Sequence, residues 1–457
     1  MKRSIRLLCF LYVLCCTVFV VAQPYAIQHL GVENGLSNNF VLSMAQDKRG
    51  CIWVATEVGL NRFDGNGFTV YKQHNSEIAG DALNTLLYDE KEDVLWMGGK
   101  FGGLCAWEGK SGCFRTYQAR NGMKLENIVH LAKANDGGIW ITPHHYDPIY
   151  FDSRSHRFTS LSDMGIQLDC RSNLCAFADG DLLYVGHYRG GMSIIDLKKK
   201  TTRRMLHDPS VPQSLPGHSV YSLYKDRLGH LWVGTEWGLG LLDSSTGRFT
   251  VFRHVPGRIS SLVADRVYDI CETADGKLWI ACDVGGISIL DLSQITFKHP
   301  EGVCFENLLS AVTGKGLSSS NIRKVLQDSY GNIWIGNYSC GLDFISHRPP
   351  VFQICGDRPV YGMYRGEEGQ LWVGGENELF LYKNDSLAKR FDICCDMLCS
   401  YGWVAAIIDD GQGFLLLGLS DNGILRTELR TGKTERVPMG VRDVRIITFF
   451  RDKDAKI

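Results

Sequence analysis

The chain has 457 residues, of which 44% are hydrophobic, 11% aromatic and 22% charged, and its formal net charge is −1. It contains 50 glycines, well above the usual share of roughly 7%, which is typical of a β protein with many tight turns. A nearly neutral chain has no strong field for nucleic acid or for an anionic membrane surface, so neither partner is expected.

Residues 1–22 have the pattern of a secretory signal peptide: a basic start, an apolar run over 7–21 and the small residue Ala22 at the expected cleavage point. A membrane anchor is the alternative, but the run is short for a span. Cys15 and Cys16 would suit a lipoprotein, although Leu14 is not the small residue that such processing prefers. No later stretch is apolar enough to cross a bilayer, so we expect a periplasmic chain without a membrane span after the leader.

A unit of four short strands recurs along the sequence, and residues 220–243, VYSLYKDRLGHLWVGTEWGLGLLD, show it most clearly. Alternating side chains predict a first strand, a turn over 226–229 leads to a second strand, and a further turn leads to a third. Residues 249–252 supply a fourth strand. One such antiparallel sheet cannot bury both of its faces, so successive units are expected to stack on one another.

The repeat is counted by aligning one large anchor residue in each second strand. Nine copies are visible, 38 to 55 residues apart. The anchors are Trp53, Trp96, Trp140, Tyr184, Trp232, Trp279, Trp334, Trp372 and Leu416. We expect these tryptophans to pack in the core and not to form ligand platforms.

Most second strands follow an aspartate–glycine turn, such as residues 47–50, 275–276 and 328–331. Asp can cap such a turn with its own side chain while Gly adopts a positive φ, so we expect these acids to be structural. A set of calcium ligands is the less favoured interpretation.

The sixteen cysteines form neither a zinc pattern nor a clear disulfide pattern. Three fall in the predicted leader, and the remaining thirteen are scattered singly except for Cys394, Cys395 and Cys399. An odd number without a CxxC pair does not fit a zinc site. We expect most of them to be small buried hydrophobic residues, with one or two disulfides open to them in an oxidising compartment. Neither a metal nor a cofactor is predicted.

The repeat predicts an all-β fold: a seven-bladed β-propeller of four-stranded antiparallel blades, followed by an incomplete second propeller. Propellers usually hold about four to eight blades, so nine copies do not fit one ring. We place the boundary at the two prolines of residues 347–350, which interrupt strand pairing. The first propeller is then residues 23–347, and residues 348–457 hold the first two to three blades of the second.

Ring closure is predicted to involve the start of the mature chain. Residues 25–30 have the form of a fourth strand that lacks the three before it, so they would complete blade seven. Residues 351–355 would play the same part in the second ring. The spacing places the next anchor one residue beyond Ile457, so we expect the sequence to stop within a blade.

The lead-in GLSNN at residues 35–39, the D-x-x-G turns and the pattern [IL]-W-[IV]-[GA]-[TN]-x-x-G-[LG] resemble the two-component regulator propeller. The pattern is clear in the copies of Trp53, Trp232 and Trp334, and the resemblance covers nearly all of the chain after the leader. This propeller is the periplasmic sensor half of hybrid two-component systems like those of Bacteroides-type gut bacteria.

The resemblance implies a sensor with two seven-bladed propellers, a β-sandwich, a transmembrane helix, a histidine kinase, a receiver and a DNA-binding helix-turn-helix, with full-length relatives anchored in the inner membrane. The implied signal is a glycan or oligosaccharide, and the implied output is transcription of the genes for its use. Within these 457 residues we recognise no kinase or DNA-binding part, so the chain is expected to bind and not to catalyse. A homodimer is left open for a full-length form.

The candidate ligand-binding residues lie at the turns between the second and third strands. The first strand runs along the channel and the second returns, so these turns share a face with the links between blades. Aromatic rings beside charged groups suit a sugar, which stacks its C–H face on a ring and needs directional hydrogen bonds for its hydroxyls. The candidates are His144, His145, Tyr146, His187, Tyr188, Arg189, Glu236, Trp237 and Tyr338.

Blades three and four are the least regular at this turn, where PHHYDP replaces the glycine turn in blade three and Tyr184 replaces the tryptophan in blade four. Such departures suggest a specialised surface, with drift in tolerant loops as the alternative. A metal site at His144, His145 and Asp147 is disfavoured because adjacent residues on a strand point to opposite faces.

Two other functions stay open. Propellers also host polysaccharide lyases and glycosidases, in which paired carboxylates perform acid–base chemistry, but no pair of acids stands out here. A protein-interaction platform, in which an incomplete ring recruits a partner, is the other alternative.

Overall fold

The computed structural model describes residues 25–119, 123, 125–295, 302–310, 316–347, 359–366, 369–383, 386–393, 403–420, 423–431, 433–440 and 445–451. Within these ranges the chain forms 36 strands and two short 3-10 helices, Val32–Asn34 and Leu292–Gln294. The strands assemble into nine four-stranded sheets. The predicted all-β propeller fold is therefore confirmed.

The described residues divide into two compact units, before and after the boundary between residues 349 and 350. The first unit contains seven blades, of which the first four have their strands in chain order. Blade one has β2 (Val41–Gln46), β3 (Ile52–Thr56), β4 (Gly59–Phe63) and β5 (Phe68–Tyr71). Blade two has β6 (Leu83–Asp89), β7 (Val94–Gly99), β8 (Leu104–Glu108) and β9 (Cys113–Tyr117). Blade three has β10 (Ile128–Lys133), β11 (Ile139–Pro143), β12 (Ile149–Asp152) and β13 (Arg157–Ser160). Blade four has β14 (Asn173–Asp179), β15 (Leu182–His187), β16 (Met192–Asp196) and β17 (Thr201–Met205).

The last three blades of this unit continue the pattern, except that blade seven takes its outer strand from the start of the chain. Blade five has β18 (Val220–Lys225), β19 (Leu231–Thr235), β20 (Gly238–Asp243) and β21 (Arg248–Phe252). Blade six has β22 (Val267–Glu272), β23 (Lys277–Cys282), β24 (Gly286–Asp291) and β25 (Phe305–Leu308). Blade seven has β26 (Ile322–Gln327), β27 (Ile333–Asn337), β28 (Leu342–Ile345) and β1 (Ile27–Leu30).

The ring is closed by β1, which pairs antiparallel with β28 so that Ile27 lies opposite Ile345 and Leu30 opposite Leu342. Each innermost strand contacts that of the next blade, from β2 through β6, β10, β14, β18 and β22 to β26, and β26 contacts β2. The seven-bladed ring is thus complete. The predicted role of residues 25–30 in its closure is confirmed.

In blades one, five and seven, the aspartate of the turn holds the tryptophan of the second strand. The indole Nε1–H donates to the carboxylate six residues earlier, at 2.9 Å for Trp53 to Asp47, 2.8 Å for Trp232 to Asp226 and 2.9 Å for Trp334 to Asp328. The other carboxylate oxygen accepts backbone N–H groups of the turn. These acids are therefore used in building the blades, as the turn chemistry predicts.

The tryptophans pack between neighbouring blades. Trp53 is fully buried, and its ring centroid lies 4.7 Å from that of Trp107 in blade two and 5.7 Å from that of Tyr71. Full burial of one large side chain contributes on the order of 2–3 kcal/mol. The prediction that these residues form the core is confirmed.

The nine cysteines within the described ranges are free thiols. Cys51, Cys105, Cys175 and Cys282 are buried, and burial raises the pKa of the Cys175 thiol to about 12. These four thus behave as the small hydrophobic residues that were expected. The triplet Cys394, Cys395 and Cys399 lies outside the described residues, as do the predicted leader at 1–22 and the predicted strand at 351–355.

The second compact unit contains two four-stranded sheets in its described residues. The first has β29 (Gly362–Arg365), β30 (Gln370–Gly374), β31 (Glu378–Lys383) and β32 (Ser386–Asp392). The second has β33 (Val404–Asp409), β34 (Phe414–Leu419), β35 (Gly423–Glu428) and β36 (Thr434–Arg436). Trp372, Leu379 and Leu417 belong to the apolar core that the two sheets share. Over the parts of the chain that the structure describes, no helix is long and apolar enough to cross a membrane.

Candidate ligand-binding face

The turns between second and third strands lie beside the links that join successive blades. The residue after such a turn donates its backbone N–H to the link: Gly59 to the Asp81 carbonyl at 2.8 Å, Gly191 to His218 at 2.7 Å, and Gly238 to Asp265 at 2.7 Å. Gly341 in blade seven bonds in the same way to the carbonyl of Asn39, ahead of blade one, at 3.0 Å. Turns and links therefore share one face of the ring, here named the link face.

Every blade exposes one large apolar side chain at this turn. In the second to fifth blades and in the seventh it is aromatic. The seven residues are Val58, Phe101, Tyr146, Tyr188, Trp237, Val284 and Tyr338. Four of them were among the candidates from the sequence, and the structure places all four on the link face.

In blade three, the candidate residues follow the end of β11. His144 Nδ1 lies 2.7 Å from the carbonyl oxygen of Asn173 in blade four, and the rings of His144 and His145 are 4.2 Å apart. His145 and Tyr146 are exposed. The irregular turn therefore joins blades three and four and leaves two rings at the surface.

His187 is the one candidate whose side chain does not reach the surface. It is fully buried, with Nδ1 at 3.1 Å from Asn173 Oδ1 and Nε2 at 2.8 Å from Ser193 Oγ. Burial, with a smaller contribution from nearby Arg204, lowers the pKa of His187 to about 4, so the ring is neutral near pH 7. Its two nitrogens are used within the protein, so its position is that of an interior structural residue.

In blade four, Tyr188 and Arg189 are both exposed, and the Arg189 guanidinium lies 5.3 Å from the Tyr188 ring centroid. The Arg189 backbone N–H donates to Ser219 Oγ at 3.1 Å. Ser219 in turn donates its backbone N–H to Glu236 at 2.6 Å. The candidate turns of blades four and five are thus connected through Ser219.

In blade five, Glu236 and Trp237 have different roles. The Glu236 carboxylate accepts the backbone N–H groups of His218 at 2.9 Å and of Ser219, so both of its oxygens hold the link in place. Trp237 is 42% exposed, and its ring forms edge-to-face contacts with His207 at 5.3 Å and with His218 at 5.0 Å. Trp237 can offer part of an indole face to a ligand, whereas Glu236 is committed to the backbone.

In blade seven, Tyr338 is part of a cluster that crosses several blades. Its ring lies 5.1 Å from Phe40, ahead of blade one, and the Arg323 guanidinium lies 4.4 Å from its centroid. On its other side Arg323 lies 3.7 Å from the ring centroid of Tyr268 in blade six. Tyr268 is 4.8 Å from Tyr221 in blade five. These five residues are named the rim cluster.

Three members of the rim cluster were missed from the sequence because each lies at a β-bulge. In all seven blades the pairing of the first and second strands shifts at the second residue of the first strand. A bulge turns the side chain of its extra residue away from the regular alternation. The residues at this position are Leu42, Asn84, Val129, Leu174, Tyr221, Tyr268 and Arg323, all half-buried. Aligning that position across the blades would have shown the change from leucine, asparagine and valine in blades one to four to tyrosine and arginine in blades five to seven.

The charges beside the rim cluster are largely balanced. Arg266 pairs with Asp283 at 2.8 Å, next to Tyr221 and Tyr268. Burial is the main reason that the pKa of Tyr221 is raised, and the neighbouring Tyr268 adds to the effect. Tyr221 is therefore a neutral hydrogen-bonding phenol at physiological pH.

At the third residue of the first strand, polar side chains of neighbouring blades can form a pair. Lys324 of blade seven binds Asp269 of blade six at 2.8 Å. His130 of blade three has its pKa lowered to about 4, first by burial and then by the positive charge of Lys324. His130 is therefore neutral near pH 7.

The described residues contain no group of three His, Cys, Asp or Glu side chains that could hold a metal ion. Asp147, which the sequence placed beside His144 and His145, pairs with Arg171 at 2.9 Å. On the same face, Glu236 accepts backbone N–H groups and Asp283 pairs with Arg266. This arrangement provides rings and hydrogen-bonding groups for a ligand.

Two concave regions lie elsewhere on the first unit. One, of about 560 Å³, lies between blades seven and one and is lined by Arg49, Phe63, Tyr330 and Trp334, among others. The other, of about 940 Å³, lies along the outer strands of blades two and three. The link face differs from both because its aromatic residues come from four successive blades around the channel.

Four blades match the family model described as "Two component regulator propeller", at residues 35–58, 214–237, 261–283 and 316–339. Three of these segments contain the tryptophan–aspartate bonds of blades one, five and seven. The chain is therefore a β-propeller protein in which four segments match two-component regulator propeller repeats, as the resemblance from the sequence implied.

The extracellular domain of a hybrid two-component system of B. thetaiotaomicron is similar over 94% of this chain, with 30% identity and a TM-score of 0.61. The chain spans 57% of the length of that domain. A histidine kinase P4 of Formosa agariphila is 46% identical over 41 residues, which are 9% of this chain and 3% of that protein. The chain is thus similar to the extracellular domain of one hybrid two-component system.

Virginiamycin B lyase from Staphylococcus aureus is similar in fold, with a TM-score of 0.52 and 14% identity over 71% of this chain and the whole of the enzyme. At this identity the likeness shows the propeller fold alone.

Proposed function

We propose that this chain is the periplasmic ligand-sensing region of a hybrid two-component regulatory system and that it binds an oligosaccharide on the link face of its first propeller. The similarity to the extracellular domain from B. thetaiotaomicron supports the class of protein. We further propose that residues 348–457 are blades of a second propeller and that residues 1–22 are removed on export.

The rim cluster is the observation that carries the ligand proposal. Tyr221, Tyr268 and Tyr338 come from three successive blades and place their rings beside the channel. A sugar ring presents C–H groups that pack on an aromatic face and hydroxyls that pair with phenols and guanidinium groups. The cluster offers both kinds of contact within a few ångströms.

Binding of purified chain to an oligosaccharide array tests the proposal. We expect a ligand whose affinity falls about five- to twelvefold in both Tyr268→Ala and Tyr338→Ala, because each substitution removes a stacking surface worth about 1–1.5 kcal/mol. Tyr330→Ala is the matched control, since Tyr330 is an exposed tyrosine in the turn between first and second strands of blade seven, away from the link face.

Equal affinity of the wild type and both tyrosine variants would refute the link face as the site. Cleavage of the bound oligosaccharide by the chain alone, detected by mass spectrometry, would favour an enzyme instead. A chain that retains no saccharide but captures a protein would favour the interaction platform.

The export proposal has its own test. Protein recovered from the periplasm should begin at Gln23, the residue after the predicted cleavage point, when its N-terminus is sequenced. An intact residue 1 in the exported protein would contradict cleavage.

A further inference from the structure

We infer that Arg323 makes the link-face site selective for acidic saccharides, whose carboxylate or sulfate group it binds. This inference rests on the proposed function, since it names the chemical class of the ligand at that site. It follows from the partners that Arg323 has and from those that it lacks.

Two aromatic rings lie against the guanidinium group of Arg323. Its central carbon lies 3.7 Å from the ring centroid of Tyr268 and 4.4 Å from that of Tyr338. Phe40 packs its ring against Tyr338 at 5.1 Å and supports that side of the stack. The N–H groups of a guanidinium lie in its plane, so stacking leaves these donors available at the edge.

No acceptor in the described chain takes up those donors. Arg323 forms no ion pair with any described carboxylate, and its Nε–H is shielded from solvent without a hydrogen-bond partner. A shielded donor without an acceptor costs about 1–3 kcal/mol. An oxyanion from a ligand would accept hydrogen bonds from the terminal Nη–H groups and balance the charge, whereas a neutral hydroxyl cannot balance it.

Other cations near the rim are already paired. Arg266 binds Asp283 and Lys324 binds Asp269, each at 2.8 Å. The nearby Glu236 carboxylate is occupied by two backbone N–H groups. Of these three cations, Arg323 is the one without an acidic partner among the described residues. A ligand could supply the negative charge that it lacks.

The position of Arg323 suits a sugar acid better than a free anion. Tyr268 of blade six lies next to it, and Tyr221 of blade five packs against Tyr268. A uronate or a sulfated sugar can place its anionic group on Arg323 while its ring packs against one of these tyrosines. A small inorganic anion would use only the first contact.

The test uses an array with three classes of oligosaccharide: uronate-containing, sulfated and neutral. We expect the chain to retain members of an acidic class, and which class it retains distinguishes carboxylate from sulfate. For the retained saccharide, titration calorimetry should show at least a tenfold loss of affinity in Arg323→Gln. The wild-type affinity should also fall as salt is added, whereas the affinity of Arg323→Gln should respond much less.

Arg323→Lys and Arg115→Gln complete the set. The lysine keeps the charge but cannot form the paired N–H bonds, so we expect an intermediate loss, and it also serves if the glutamine variant fails to fold. Arg115 lies on the outer strand of blade two, paired with Glu108 at 3.2 Å, and its loss should leave affinity unchanged.

The outcomes separate the two proposals. Retention of neutral saccharides only, or an acidic ligand bound equally well by Arg323→Gln, would overturn the role of Arg323 and leave a saccharide sensor standing. Retention of no saccharide of any class would overturn the proposed function and this inference with it.

Discussion

Two positions of the same blades behave in opposite ways. At the turn before the second strand, blades one, five and seven repeat one arrangement, in which an aspartate holds the buried tryptophan. At the bulge of the first strand the residue changes from Leu42 in blade one to Arg323 in blade seven. The first position builds these three blades alike, and the second makes one side of the ring chemically different. Substitutions at the first should therefore affect stability, and those at the second should affect binding.

The largest effect is expected from removing ring closure. Deleting residues 25–30 exposes the edge of β28 and removes apolar cover from Leu342 and Ile345, both buried. Lost backbone bonds at about 1 kcal/mol each and exposure of two aliphatic residues should lower the free energy of unfolding by about 4–6 kcal/mol in urea titrations. Gln28→Ala, which leaves the backbone pairing intact, should change it little. Equal stability of the deletion and the wild type would show that β1 does not close the ring.

The next effect is expected at the tryptophan–aspartate bond. Asp226→Ala removes the acceptor for Trp232 Nε1–H and for two donors of His230. Leaving a buried N–H unpaired costs about 1–3 kcal/mol, and the other bonds add to it, so we expect a loss of about 3–4 kcal/mol in chemical denaturation. Asp226→Asn keeps one oxygen acceptor and should lose less. The saccharide affinity of the folded fraction should not change. A fall in affinity would mean that the tryptophan–aspartate bond of blade five also affects the position of the rim cluster.

A third effect concerns pH. The pKa of His187 is about 4 in the fold against an ordinary 6.5, so on acidification the unfolded chain takes up this proton first. Stability is therefore complete above pH 6.5 and falls by about 3 kcal/mol towards pH 4. Urea midpoints measured across this range should show a shallower fall in His187→Gln. The exposed His145→Gln serves as the control and should follow the wild type. A parallel fall in all three proteins would contradict the assignment.

The smallest effect is expected from exchanging one bulge residue for another. Tyr221→Leu gives blade five the residue that blade four has at Leu174, which removes one stacking ring and its phenol. We expect a three- to tenfold loss of saccharide affinity with stability changed by less than about 0.5 kcal/mol. Leu174→Ala, at the same position of the adjacent blade four, should change affinity less than twofold. The reverse ranking would place the site on blades three and four, where the sequence is least regular.

Blades three and four break the repeat, which predicted a specialised surface there, yet one of their candidates, His187, is buried inside blade four. A residue that departs from the repeat can be accommodated inside the blade. Here the imidazole of His187 hydrogen-bonds Asn173 and Ser193. The converse also holds, since the blades of Tyr268 and Arg323 match the repeat well and still carry the rim cluster. Regular blades can hold a specialised site where the framework leaves a position unconstrained.

The sequence by itself determined the repeat, the four-stranded blades, the buried tryptophans and the closing strand. These depend on periodicity and turn chemistry within about 45 residues, where local spacing sets which side chains are buried. Only the tertiary structure decided which side chains meet at the channel mouth. Phe40 and Tyr338 are nearly 300 residues apart in the chain and become neighbours only because the ring closes. The bulges that direct Tyr221, Tyr268 and Arg323 arise from pairing register, which strand patterns do not encode.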